Sequence, residues 1–152
     1  MATETDAPMT VEEARREIKE FFSRPDAELA KVRDAEEGGM KCVYRGNDDP
    51  SSPLRCAFGC LLPDELYDPS LEGSSLHACL PQRMGMSASW QRVREHFFPE
   101  GLPGDYIAAR KASALYAFLF DAQQAHDADS TETVEQFLVM LDEVAVEHGI
   151  AV

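Results

Sequence analysis

Apolar residues recur every three or four positions along most of this chain, and that recurrence restricts it to a mainly helical fold. Val11, Ala14, Ile18, Phe21 and Phe22 share one helical face, and Thr10 with Glu13 supplies the reciprocal cap that starts such a helix. The spacing predicts a helix over residues 11–23. Pro25 suits a first helical position, and Leu29 and Val32 continue the pattern as a short second helix that Gly38 and Gly39 end. Trp90, Val93, Phe97 and Phe98 mark a helix that begins at Ser87 or Ser89 and stops before Pro99. A long, alanine-rich helix is predicted from Asp105 to His126 through Ile107, Ala108, Ala112, Leu115, Leu119 and Ala122. The last helix, capped by Ser130, carries Val134, Phe137, Leu138, Leu141, Val144 and Ala145 on its buried stripe and ends at Gly149.

Residues 40–73 break this pattern. Lys41 to Arg45 alternate and are β-prone, residues 46–53 are rich in turn formers, and Leu54 to Phe58 return as a second short strand, which predicts a β-hairpin. Pro63 opens a helical turn with Asp64 and Glu65 in it, and Asp68-Pro69 closes that turn. The predicted architecture is α+β but mainly α-helical, a helical bundle with one short β-hairpin. Residues 1–9 lack periodicity and are expected to be a disordered tail, leaving 10–152 as a single globular domain.

With 152 residues the chain is long enough to bury a core without disulfides or metal. Its net charge is −14, and no Lys or Arg follows Lys111 while eight acidic residues do. So acidic a chain is a poor binder of nucleic acid, which needs clustered cations. No apolar run approaches the roughly 20 residues that span a bilayer, and the acidic start M-A-T-E-T-D does not resemble a secretion signal. The expected location is therefore the cytoplasm, where Cys42, Cys56, Cys60 and Cys79 are reduced thiols rather than disulfides.

Four chemistries are open to these residues. Cys42, Cys56, Cys60, Cys79 and His77 are zinc-type ligands, but their spacing matches no common finger, and buried core cysteines are the simpler reading, so no metal or cofactor is assigned. A thiolate at Cys56, Cys60 or Cys79 with His77 or His126 as base, oriented by Asp127, makes a cysteine enzyme a further alternative. Arg45 and Arg55 stand close if the hairpin closes, Tyr44 and Tyr67 offer stacking faces, and Glu72 offers an acceptor, which suits a phosphorylated small molecule. Surface ion pairs of those arginines with Asp48, Asp49 or Glu65 are the plain alternative. Lastly, Glu132, Glu135, Asp142 and Glu143 form an acidic face suited to a basic protein partner or to mimicry of nucleic acid.

The segments C-V-Y-R-G, R-C-A-F-G-C-L-L-P-D-E-L-Y-D-P-S-L-E-G and F-L-F-D-A-Q-Q-A-H-D resemble a family of small proteins encoded by phages and prophages, over residues 40–73 and 118–127. The resemblance implies a phage setting and an action on the bacterial host, and it carries over no catalytic residue. It also implies that the hairpin region and Ala125-His126-Asp127 belong to one site. Together with the residue chemistry it favours a non-catalytic protein that sequesters a nucleotide-like immune signal. The expected site is Tyr44, Arg45, Arg55, Tyr67, Glu72 and His126, in a homodimer within the host cytoplasm. An acidic inhibitor of a host protein is the runner-up.

Overall fold

The computed structural model describes residues 9–33, 40–46, 49, 51–72, 76–80, 87–128 and 130–150, so all but Met9 of the expected tail lies outside the described residues. Those residues contain five α-helices: α1 (Val11–Phe22), α2 (Ala88–Phe97), α3 (Tyr106–Ala112), α4 (Ala114–Asp127) and α5 (Val134–Glu147). Two short strands, β1 (Lys31–Arg33) and β2 (Met40–Cys42), pair antiparallel, with Lys31 opposite Cys42 and Arg33 opposite Met40. Three 3-10 turns lie between β2 and α2, at Asp64–Leu66, Pro69–Leu71 and Leu76–Cys79.

The bundle is built around α4. Leu115 through Phe120, Ala122, Gln123, Ala125 and His126 are all buried, and a helix covered over most of its surface belongs in an interior. Helices α1, α3 and α5 pack against it, as does β2. From α1 come Ala14, Ile18 and Phe22 at four-residue spacing, and from α5 come Phe137, Leu141 and Ala145 at the same spacing. The rings of Phe22 and Phe137 meet edge-on at 4.9 Å over the buried His126. The second layer is α2 laid on the 3-10 turns, with Tyr44, Phe58, Trp90 and Phe97 in contact across it.

The helix starts follow their caps. Thr10 and Glu13 exchange side-chain bonds with each other's N–H at 3.1 and 2.9 Å, as the sequence predicts. Ser87 accepts from Trp90 N–H at 3.1 Å to start α2. The last helix starts later than expected, because a reciprocal cap between Thr133 and Gln136 outcompetes Ser130.

The structure corrects the sequence reading at three places. The predicted hairpin of 41–45 with 54–58 does not form. Among the described residues the two segments are linked by Gly46 N–H to Leu54 O (2.9 Å) and Cys56 N–H to Val43 O (3.0 Å), and no strand is formed at 43–45 or 54–58. Beyond Cys56 the chain curls, with Cys60 N–H reaching Cys56 O at 2.9 Å and Phe58 N–H going to Gln123 at 2.8 Å instead of to a ladder. Over the described residues 25–33 the predicted second helix does not form and Lys31–Arg33 are β1; the remainder of that prediction, up to Gly38 and Gly39, lies outside the described residues. An extended path lets Ala30 receive Val43 N–H at 2.8 Å and places the Lys31 ammonium on the carbonyls of His126, Ala128 and Thr131 at 2.6–2.8 Å. Tertiary bonding here overrides a weak helical preference.

The predicted long helix is two helices. Ser113 ends α3 and also starts α4, accepting from Tyr116 N–H at 3.0 Å. The corner is held from outside by Arg110, which forms two parallel 2.8 Å bonds to Asp121. Asp121 also meets His148 Nε2 at 2.8 Å. Burial pushes the Asp121 carboxyl up, but hydrogen bonds from Arg110 and His148, with their charges, outweigh it and hold the group below the usual range. A carboxylate depressed in the folded state contributes stability above its unfolded value, roughly pH 4, and loses that contribution as pH falls through the lower folded value. Replacing Asp121→Asn is therefore expected to cost about 1 kcal/mol at pH 7, after allowance for solvent screening of a half-exposed pair. The gap between wild type and variant in urea unfolding should close below about pH 4.

Candidate functional site

The described residues between 43 and 72 have little regular structure, so their backbone groups need partners other than a ladder. Two side chains supply them. The Glu72 carboxylate accepts Tyr44 N–H at 3.0 Å and Arg45 N–H at 2.9 Å, and its second oxygen also takes the Tyr67 hydroxyl at 2.8 Å. The Arg45 side chain is wholly buried and does the converse, donating to carbonyls. Its Nη1 donates to Tyr44 O and Gly59 O, and its Nη2 donates to Leu62 O at 2.6 Å and to Asp64 Oδ1 at 3.1 Å. The Tyr67 ring lies 5.4 Å from the guanidinium. Burial, and then the like charge of Arg55, draw the Arg45 guanidinium below its ordinary value against the opposing bond to Asp64. It remains a cation, as a guanidinium does in a protein.

Gly59 makes this arrangement possible. A Cβ there would lie 2.5 Å from the Tyr44 carbonyl oxygen and 2.9 Å from its Cα, a clash with backbone that no rotamer relieves. Close approach of the two segments brings both carbonyls within reach of one guanidinium.

Five of the six residues singled out from sequence thus come together. Tyr44, Arg45, Tyr67 and Glu72 form one bonded unit, and Arg55 joins at its edge, with Nε on Ser52 O at 2.7 Å and Nη2 on Asp64 Oδ1 at 3.4 Å. Arg45 meets Asp64, a carboxylate outside the set the sequence suggested, while Asp48 of that set lies outside the described residues. His126 stands apart, wholly buried between Phe22 and Phe137. Its Nε2 accepts Ala30 N–H at 3.3 Å, which leaves the ring proton on Nδ1, 2.8 Å from Asp127 Oδ1. The link to the loops runs through Gln123, which accepts Phe58 N–H at 2.8 Å and donates to Asp127 at 3.0 Å. Gln123 and Lys31 carry no signal in the sequence reading, and Asp64 enters it only as an acid in the first turn of a helix; Gln123 and Asp64 lie inside the stretches that carry the resemblance.

Two of the described thiols, Cys60 and Cys79, are held in the protonated form by burial. Burial pushes Cys79 up to about 12 and Cys60 higher still, and the Cys60 thiol donates to Ala57 O at 3.1 Å. Cys56 Sγ accepts Gly59 N–H at 3.4 Å. With its Nε2 engaged, His126 has no free lone pair for a base. The side chains of Cys42 and His77 fall outside the described residues, and among the described residues no three of His, Cys, Asp and Glu gather as a metal site would require.

The other surface of note is the outer face of α5. Val139 and Val146, each 59% exposed, project opposite the core stripe and line a shallow depression with Asp142, Glu143 and Glu147. Asp142 is held from one side by Arg15 at 2.9 Å, with Lys19 at 4.0 Å. Glu135, Glu143 and Glu147 are exposed or partly so, and no described cation lies within ion-pair distance of them. No family model, curated protein or solved structure matches the chain.

Arg45→Ala is expected to cost about 3 kcal/mol, because it strands buried carbonyls and leaves a void. Arg55→Ala, at the rim, should cost less than about 1 kcal/mol. Denaturant unfolding of the two variants checks the ranking, and equal losses would contradict it.

Proposed function

We propose that the protein works by binding without turnover, and that its binding surface is the acidic outer face of α5, docked against a basic protein. The supporting observation is the pair of exposed valines set among acids that have no cation of their own in this part of the chain. Apolar contacts flanked on one side by uncompensated acids suit a partner of the opposite sign, which the field also steers into place. The resemblance to phage-encoded proteins supports a bacterial host protein as that partner and the host cytoplasm as the place of action. The protein then acts as an acidic inhibitor. Mimicry of nucleic acid is a special case of the same surface.

The second reading is sequestration of a phosphorylated, nucleotide-like ligand near Arg45 and Arg55. It is favoured by the convergence of two guanidinium groups on the exposed Asp64 carboxylate, which an anionic ligand would displace. It ranks behind the first because Tyr44, Arg45, Tyr67 and His126 are buried and bonded within the fold. Of the sequence-based set, Arg55 is the cation that such a ligand reaches without unpacking the core.

Two experiments separate these readings. Zero-length coupling of carboxylates to amines in a bacterial lysate, read by mass spectrometry, should join Glu135, Glu143 or Glu147 to lysines of one host protein. Changing those three residues to Gln should abolish the links, while Glu12→Gln, Glu17→Gln and Glu20→Gln on α1 should leave them; the reverse pattern would overturn the reading. For sequestration, a thermal-shift panel of cyclic nucleotides and ADP-ribose derivatives should contain a stabilising compound whose effect Arg55→Ala removes. A panel with no shift sinks that alternative.

A further inference from the structure

From the shape and charge of the α5 face we infer that its occupant is a basic amphipathic helix of the partner protein, laid along α5. This rests on the docking function proposed above and specifies the partner's chemistry. Val139 and Val146 are seven residues apart, about 10 Å along a helix axis, and fall on one line. Two apolar anchors at heptad spacing meet a second helix side by side, because a helix presents its own apolar residues on the same period. The backbone of α5 is bonded within the helix and offers no edge for an added strand.

Charge fixes the rest. On one flank of the valines Asp142 is already paired with Arg15, whereas on the other Glu143 and Glu147 meet no described cation. Glu135 lies one turn before Val139 on the same face. A helix seated here gains by carrying Lys or Arg beside its apolar stripe, chiefly on the Glu143 side. A second copy of this chain is a poor occupant, since it would set these acids against their own equivalents. Anionic lipid and nucleic acid are disfavoured for the same reason.

The test uses a labelled synthetic peptide of about 18 residues, enough for five turns, made of Lys, Ala and Leu with the leucines on one helical face. A scrambled peptide of identical composition is the control. Fluorescence anisotropy with the full chain should show the amphipathic peptide binding at least about tenfold tighter than the scrambled one. Val139→Ser with Val146→Ser should erase that difference, with circular dichroism unchanged because both side chains are exposed.

Equal affinity for the two peptides, insensitive to the valine substitutions but reduced by Glu143→Gln and Glu147→Gln, would overturn the helix and leave the acidic docking surface standing. Binding of neither peptide would overturn both. Concentration-dependent dimerisation that Val139→Ser and Val146→Ser abolish would assign the face to a second copy and also overturn the inference.

Discussion

One buried guanidinium holds the irregular half of this molecule together. The described residues between β2 and α2 make almost no ladder, yet Tyr44, Gly59 and Leu62 turn carbonyls inward, where an unpaired oxygen is costly. Arg45 meets them with several donors on one rigid plane, while Glu72 collects two backbone N–H groups and a hydroxyl. An arginine and a glutamate together do what a neighbouring strand does elsewhere, one giving protons and the other accepting them. The loops are then a fixed layer on which α2 packs.

That role accounts for the density of polar and aromatic residues in the same stretch. Two arginines, two tyrosines and a glutamate within thirty residues are also the inventory of an anion pocket. Composition does not separate the two uses, because the same donors satisfy a phosphate or a row of carbonyls. Burial separates them. Arg45 faces inward and Arg55 sits at the rim, a distinction that depends on the tight approach of Gly59 to Tyr44.

The helices were legible where local rules decide them. Thr10 with Glu13 marks the start of α1, and the apolar stripes of α1, α2 and α5 are periodic enough to read without a structure. Elements fixed by distant partners were not legible. Ala30 and Lys31 are extended because His126 and the end of α4 receive them, and nothing between Pro25 and Gly38 announces that. The break at Ser113 lies between two alanines and owes its geometry to Arg110 and Asp121. The grouping of Ala125-His126-Asp127 with the motif stretch rests on contacts that sequence does not display. The two regions are joined, but through Gln123, and His126 itself belongs to the α1–α5 core.

The Lys31 ammonium also bears on how the chain is made. It closes the end of α4 from about 95 residues away, covering carbonyls that a helix terminus ordinarily leaves to a local glycine or to water. A ribosome delivers the N-terminal segment first, so this cap has left the tunnel long before the helix it serves. When α4 emerges, the side chain that covers its end is already outside the tunnel. A fragment that begins after β1 would lack that closure and leave the corner before α5 open to solvent.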